Sequence, residues 1–296
     1  MTAAIGAVGL LAAPLLVESP RWLVAQGRAD EARKVLMALR ACDAEDADAE
    51  MAEWEAAAAS GDRTPLTMAQ VFAAPALRAP LAVAVVLQLT QQLSGINAVF
   101  YYSTSFFDDA GVNGQLGTVL TGAINVVSTA AAIPLIESLG RRPLILAGEA
   151  GMLVSAVVVT AALVVKGGSP ALAATLGPVA IVGVLAFVTF FEVGLGAIPW
   201  SIGAELFPED SRGSAMAIAA TANWAANTLV GILFPFMQGA LGNLSFLPFA
   251  VWLGGALLFT LVRVPETNGK TPQELIRELN KGAAPLGDDA DELLGA

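Results

Sequence analysis

Polar side chains that could bind a ligand occur inside a long uncharged stretch of the sequence. The segment from Ala79 to Phe107 lacks Asp, Glu, Lys and Arg. At about 1.5 Å per helical residue it is long enough to cross a bilayer. Gln88, Gln91 and Gln92 occur at positions i, i+3 and i+4, so a helix places their amides on one face. Because an unpartnered buried amide costs about 1–3 kcal/mol, this face must contact other helices, a wet cavity or a polar ligand. We favour the polar ligand.

An acidic residue marks a second unusual segment. Glu192 lies within the apolar run from Ala171 to Ala204, directly before an interruption at Gly194–Pro199. Burial of a carboxylate in a membrane span is costly unless it is paired, hydrated or protonated, so such a residue is functional by default. The alternative role for Glu192 is a structural hydrogen bond to the broken backbone.

Further polar groups occur on the neighbouring apolar segments. Neutral donors and acceptors with a single acid suit a polyhydroxylated neutral ligand, whereas an anionic ligand would require Arg or Lys within the spans. Other roles stay open: interhelical hydrogen bonding for the amides, which we favour for Asn227, and interfacial anchoring for the tryptophan. The residues predicted to bind the ligand are Gln91, Gln92, Asn97, Asn125, Glu192, Trp200 and Asn223.

The composition is typical of an all-α membrane protein with several spans. The 296 residues are 56% hydrophobic, and the mean hydropathy is +0.68. The net charge of −11 does not indicate nucleic-acid binding. With one cysteine, Cys42, and no histidine, the sequence excludes an internal disulfide and lacks the commonest metal ligand and proton shuttle. We predict no catalytic residue, no cofactor and no metal site.

Charge distribution predicts the topology. Six complete spans and one partial span place every Lys and Arg except Lys166 on one side, which the positive-inside rule assigns to the cytoplasm together with the C-terminus. The six spans form two triples, each beginning with an interrupted helix, as in transporters built from repeats. The predicted segments are 1–17, the end of a membrane helix; 18–78, a cytoplasmic helical region; 79–264, the six spans; and 265–296, a cytoplasmic tail.

Turn and helix signals predict the local structure of the cytoplasmic region and of the turns between spans. We expect one amphipathic helix from Arg21 to Arg40, with Trp22, Leu23, Val35, Leu36 and Leu39 on its apolar side. An acidic helix over Ala44–Ala59 should end at a Gly61–Pro65 break, and polar turns are expected at Phe107–Gly111 and Glu137–Arg142. Glu149 could be a proton site, but we expect it to extend its carboxyl toward the cytoplasmic arginines.

Acidic and basic side chains alternate at the predicted cytoplasmic ends of the helices. Ion pairs among them could close that side in one conformation and break in another. Setting the topology alone would explain the arginines but not the acids. The predicted gating residues are Glu18, Arg21, Glu137, Arg141, Arg142, Glu205 and Arg212.

The motifs resemble those of the sugar porter family of the major facilitator superfamily. The matching stretches occur in family order at 18–23, 91–97, 140–143, 191–200, 204–208, 223–224 and 264–267. The resemblance implies the C-terminal half of such a transporter: the end of helix six, the intracellular helical domain and helices seven to twelve. It implies that the seven ligand-binding residues match sugar-contacting positions and that the seven charged residues match gating positions. It also implies a multi-pass protein of the cell membrane with a sugar substrate.

The sequence departs from the family pattern in two respects. Glu149 stands where the family usually has an apolar residue, and these 296 residues contain no counterpart of the family's first six helices, which include the acid that symporters use for proton coupling. We therefore expect the chain to need an N-terminal six-helix half. The predicted function is transport of a monosaccharide or polyol by alternating access. Alternatives are another polar solute such as inositol or an organic acid, a transporter-like sensor, and an inactive or truncated fragment.

Overall fold

The structure is a computed structural model. The chain consists of two compact units, residues 1–64 and 65–296. The structure describes residues 16–59, 65–110, 113–168 and 172–281, together with positions 7, 10, 11 and 13. Most of the predicted helix end at 1–17, the predicted break at Gly61–Thr64 and the predicted tail beyond Lys281 lie outside these residues. The predicted four-segment organisation is finer than this division and stays a prediction.

Residues 20–59 of the first unit form three helices: α1 Pro20–Ala25, α2 Ala29–Arg40 and α3 Ala44–Ala59. The Ser19 hydroxyl accepts a hydrogen bond from the Trp22 backbone N–H, and Pro20 occupies the first helical position. The expected single helix from Arg21 to Arg40 is wrong, because Gly27 adopts a left-handed φ of +73° between α1 and α2.

The core of the first unit is small and aliphatic. Leu23 and Leu36 are buried as predicted and pack with Met51. Trp22 and Leu39, predicted on the same apolar side, are 46% and 61% exposed. The exposed and buried residues occur within each helix, Trp22 beside Leu23 on α1 and Leu39 one turn after Leu36 on α2, so the predicted apolar side was too wide.

The second unit is also entirely helical in its described residues. It also contains a 3₁₀ turn at Pro75–Leu77, a π-helical turn at Glu192–Gly196 and a 3₁₀ turn at Gly242–Leu244. The helices are α4 Met68–Ala73, α5 Arg78–Leu93, α6 Ile96–Ala110, α7 Gly114–Leu139, α8 Arg141–Gly168, α9 Ala173–Phe191, α10 Ile198–Glu205, α11 Glu209–Leu241, α12 Leu247–Arg263 and α13 Pro272–Leu279.

Within the described residues, five helical segments have the length and apolar composition of membrane spans, and α12 is a shorter apolar helix of 17 residues. The sixth predicted span is therefore present as a shorter element. The five segments are Pro75–Tyr101, Gly114–Leu139, Arg141–Gly168, Thr175–Glu205 and Glu209–Leu244.

Two predicted turns are shorter than expected. The helix α6 continues to Ala110, so the turn predicted at Phe107–Gly111 is wrong for its described part. Between α7 and α8 only Gly140 leaves the helical conformation, with φ +86°. A Cβ atom at Gly140 would lie 2.8 Å from Oε2 of Glu266, so glycine is required there for both conformation and space.

The helices of the second unit are arranged around one hydrophobic core. α8 packs against α9 and α12, and α5 packs against α11. At one end of this bundle α5 and α8 begin, α7 and α12 end, and α13 packs back against α5. Arg141, Arg142 and Arg263 lie at this end, which we call the basic end.

Candidate functional site

The first interruption of a span lies between α5 and α6. Ser94 and Gly95 separate the two helices, and Gly95 has φ +93°. The ring of Phe249 on α12 occupies the space beside Gly95, where an added Cβ would lie 2.5 Å from the ring. This break turns the chain so that the Asn97 amide donates to Oε1 of Gln92 on the preceding helix.

The second interruption is the π-helical turn Glu192–Gly196. Pro199 has no N–H, so the carbonyl of Leu195 four residues earlier loses its helical donor. The Gln91 side-chain amide donates to this carbonyl and to that of Gly196, both at 2.7 Å. Gln91 therefore connects the two interrupted spans.

Side-chain amides from α5, α6 and α11 form one hydrogen-bonded group, which we call the amide cluster: Gln88, Gln91, Gln92, Asn97, Asn223 and Asn227. Asn223 Nδ2 donates to Oε1 of Gln88 at 2.6 Å and to Oε1 of Gln91 at 2.8 Å. Gln92 Nε2 donates to Asn223 Oδ1 at 2.9 Å. All three glutamines are buried, as their spacing predicts.

Exposure increases from the inner to the outer part of the amide cluster. Asn223 is fully buried, Asn97 and Asn227 are half-buried, and Tyr101, whose hydroxyl donates to Asn227 Oδ1 at 3.3 Å, is 56% exposed. In this conformation the amides bond mainly to one another. An exception is Nε2 of Gln88, which is buried without a hydrogen-bond partner. Asn97, Asn227 and Tyr101 therefore form the open side of the amide cluster.

Glu192 and two side chains of α7 form a second polar group. Glu192 is 9% exposed, and its Oε1 accepts a hydrogen bond from Asn125. Thr129 Oγ1 donates to Oε2 of Glu192 at 2.9 Å. The carboxyl group of Glu192 is thus hydrogen-bonded to side chains of α7, whereas the alternative predicted a bond to the broken backbone. Thr129 was missed from the sequence, although it lies one helical turn after Asn125 on the same face.

Trp200 and Glu149 lie apart from these contacts. Trp200 is half-buried on α10, directly after the second interruption. The expectation that Glu149 extends toward the arginines is wrong: the residue is 0% exposed, and its Oε1 accepts a hydrogen bond from Thr260 of α12 at 3.0 Å. Oε2 of Glu149 has no partner. Because α12 packs against α8, the carboxyl group is enclosed between the two helices before it can reach the basic end.

At the basic end, the predicted gating residues make one ion pair within the described part of the second unit. Arg141 and Glu205 approach to 3.0 Å, and Thr267 donates to the other oxygen of Glu205. Arg142 instead donates to the carbonyl of Leu261 at 2.9 Å. Arg212 donates to the carbonyl of Phe207 at 3.2 Å.

The remaining predicted gating residues are exposed. Glu137 lies near the end of α7. Glu18 and Arg21 belong to the first unit, at the start of α1.

Glu266 also lies at the basic end, and the sequence analysis predicted no role for it. Its carboxylate accepts hydrogen bonds from the backbone N–H groups of Arg141 at 3.1 Å and of Arg142 and Asn268 at 3.0 Å. Partial burial alone would raise the pKa of Glu266, but these backbone donors hold it below its usual range. The carboxylate thereby caps the first turn of α8, where the helix dipole favours negative charge. The sequence signal that could have identified Glu266 is its position directly after the last span.

Interrupted apolar spans packed around converging amides are the architecture of a multi-pass membrane protein with the major facilitator fold. The fold agrees with solved structures of the proton:xylose symporter XylE. The form bound to 6-bromo-6-deoxy-D-glucose matches with a TM-score of 0.70 and 29% identity over 91% of this chain and 56% of that one. The inward-open form from E. coli matches with a TM-score of 0.67 and 28% identity, over 90% and 52%.

Sequence comparison identifies the family. Residues 1–279 match the family described as "Sugar (and other) transporter". The chain is 41% identical over 275 residues to facilitated glucose transporter member 3 of solute carrier family 2 from Oryctolagus cuniculus, covering 92% of this chain and 55% of that protein. It is 45% identical over 266 residues to member 4 from Mus musculus, covering 88% and 51%. The chain belongs to the sugar transporter family, and it spans about half the length of the curated relatives it matches.

These comparisons test the fold class and the family that were predicted from the sequence. The all-α major facilitator fold and the resemblance to sugar porters are confirmed. The chain belongs with multi-pass membrane transporters rather than enzymes.

Proposed function

We propose that the chain contributes to the transport of a monosaccharide or polyol across the cell membrane by alternating access. The observation that carries this proposal is the amide cluster, in which uncharged donors and acceptors from three helices meet beside two helix interruptions. Interrupted helices at corresponding places in two repeats are the usual location of a transporter's substrate site. The names of the relatives, facilitated glucose transporters and a xylose symporter, support a sugar as the substrate.

In this proposal the inner amides are the support and the outer amides contact the sugar. Asn223 and Gln91 are hydrogen-bonded to each other inside the cluster. Asn97 lies at the half-buried edge of the cluster, where its amide donates to Gln92. A sugar hydroxyl that accepts from Asn97 and donates to Gln92 would replace their present bond with two bonds of the same kind. The seven residues predicted from the sequence remain the proposed site. Within it, Gln91 and Asn223 act as support for the amides that contact the sugar, and Asn125 and Glu192 act as one hydrogen-bonded pair.

We further propose that the open side of the amide cluster faces a second six-helix half. The aligned part of this chain covers only 55% and 51% of two matched relatives. A site with one open side would need a second wall to exclude water and to alternate its access.

The Arg141–Glu205 pair is the proposed gate at the basic end. By the positive-inside rule this end, with the C-terminal tail, faces the cytoplasm. The ion pair would hold α8 and α10 together when the cytoplasmic side is closed and would break when that side opens.

Substitution of Asn97 tests the proposal most directly. Binding of labelled D-glucose is measured on the natural gene product in lipid nanodiscs. Asn97→Ala should weaken binding about tenfold, the equivalent of about 1.4 kcal/mol for a lost hydrogen bond. Gln91→Ala should also weaken binding, but it removes the support of the carbonyls of Leu195 and Gly196, so Asn97 is the cleaner test.

The matched control is Asn243→Ala, which removes an exposed amide outside the cluster and should leave affinity unchanged. Unchanged affinity in both Asn97→Ala and Gln91→Ala would contradict the assigned site. Competition by D-xylose, inositol and organic acids then ranks the solute classes, and stronger displacement by an organic acid than by D-xylose would overturn the choice of a sugar.

A further inference from the structure

A polar cavity lies at the basic end, away from the amide cluster. It has a volume of about 510 Å³ and is formed by Arg142 of α8, the end of α12, the segment after it, and the end of α13. Its basic lining residues are Arg142, Arg263, Lys270 and Lys281. Its acidic lining residues are Glu266 and Glu278.

The acids of this cavity are already engaged. Glu278 pairs with Lys270 at 2.6 Å. The Glu266 carboxylate accepts the backbone N–H groups at the start of α8. The guanidinium of Arg142 donates to a backbone carbonyl rather than to a carboxylate. Within the described part of the chain, Arg263 and Lys281 form no ion pair. The cavity thus has an excess of positive charge that an anion would neutralise.

The surface beside the cavity is apolar. Leu258, Leu261 and Val262, the last directly before Arg263, are 63%, 51% and 68% exposed. They lie on α12, an apolar helix that ends at this cavity. Cations that directly follow an exposed apolar helix face match a ligand with an anionic head and hydrocarbon chains. A soluble phosphate compound would use the cations but not the apolar face.

We propose that this cavity binds the phosphate headgroup of an anionic phospholipid, with Arg142, Arg263 and Lys281 contacting the head and Leu258, Leu261 and Val262 contacting the acyl chains. Basic pockets between membrane helices at their cytoplasmic ends commonly hold anionic headgroups. Because none of these residues belongs to the amide cluster, the lipid site stands independently of the sugar proposal.

The test measures lipid retention by the natural gene product. The protein is purified from bilayers of phosphatidylcholine and phosphatidylglycerol in equal amounts, and the bound lipids are counted by native mass spectrometry. We expect phosphatidylglycerol to be enriched over phosphatidylcholine. Arg263→Gln and Lys281→Gln should each lower the enrichment about fivefold, the effect of about one removed charge near a lipid surface. Both side chains are exposed, and melting in pure phosphatidylcholine checks that each variant folds.

The control variant is Arg277→Gln. Arg277 lies on α13, is exposed and does not line the cavity, so the substitution removes one positive charge at the same end without touching the site. It should leave the enrichment unchanged. An equal loss in Arg277→Gln would show a diffuse charge effect and overturn the site. Displacement of phosphatidylglycerol by inorganic phosphate or glycerol phosphate would assign the cavity to a soluble anion and overturn the lipid proposal.

Discussion

Glu192 and Glu149 are both carboxylic acids inside membrane-spanning helices, and both are enclosed, but their partners differ. Glu192 receives hydrogen bonds from two side chains of another helix, Asn125 and Thr129, one on each carboxyl oxygen. Glu149 receives one from Thr260, and its second oxygen has none. Glu192 begins the π-helical turn, whereas Glu149 lies within the uninterrupted helix α8.

This difference shows why burial alone does not identify a binding site. The donors around Glu192 come from a neighbouring helix and are half-buried or exposed, so they can exchange a bond with a ligand. Glu149 is enclosed at the contact of α8 with α12, and directly beside it Gly148 packs against Gly194 so closely that an added Cβ would lie 2.6 Å from the Gly194 Cα. We infer that Glu192 belongs to the sugar site and that Glu149 does not.

The largest expected effect is that of Glu192→Leu on sugar binding. Leucine removes both acceptors and leaves the Asn125 amide and the Thr129 hydroxyl without their partner. We expect D-glucose affinity to fall about a hundredfold, the equivalent of about 2.7 kcal/mol for lost bonds to a carboxyl group. Glu192→Gln keeps one acceptor oxygen and should fall between wild type and Glu192→Leu. Equal affinity in wild type and Glu192→Leu would remove this acid from the site.

The substitution Glu149→Leu should have the opposite sign and act on stability. Leucine is of similar size and removes a carboxyl oxygen that has no partner, while Thr260 can bond to its own helix. We expect the free energy of unfolding to rise by about 1 kcal/mol, seen as a higher melting temperature in nanodiscs, with D-glucose affinity unchanged. A lower melting temperature would contradict the argument from the unpartnered oxygen. A loss of sugar affinity comparable to that of Glu192→Leu would place both acids in the sugar site.

Helix faces and interruptions were predictable because they depend on neighbours in the sequence. The i, i+3, i+4 spacing of the three glutamines correctly placed them on one buried face, and Gly95 and the Gly194–Pro199 segment correctly marked the two breaks. Local rules failed where one glycine changed the geometry. Gly27 divides the first amphipathic helix, and Gly140 alone replaces the longer turn expected between α7 and α8.

Contacts between distant residues were harder to predict. The partners of Glu149 and Glu192 depend on which helix packs against α8 and α7, and no spacing within one helix contains that information. Thr129 was overlooked because a lone threonine in an apolar helix usually bonds to its own backbone, as Thr129 also does with the carbonyl of Asn125. The family resemblance supplied the site residues as a set, but the pairing of Asn125 with Glu192 required the structure.

A third acid, Glu266, extends the comparison to the basic end, where the smallest effect is expected. Backbone N–H groups hold the pKa of Glu266 below its usual value of 4.5, so the carboxylate contributes stability that is fully present above about pH 4.5. That contribution is lost as the pH falls through the lowered pKa of the folded protein. Because the group is partly exposed, solvent screening limits it to under about 1 kcal/mol.

We therefore expect Glu266→Gln to lower the melting temperature slightly at pH 7 and to reduce its fall between about pH 4.5 and pH 3. Glu274→Gln is the matched control for a carboxylate that caps a helix at the same end, since Glu274 accepts the backbone N–H of Thr271 beside α13. If Glu266 holds the start of α8 as its hydrogen bonds indicate, its variant should also weaken the Arg141–Glu205 contact, because Arg141 is the first residue of that helix. A steeper acid transition in Glu266→Gln than in wild type would contradict the capping role.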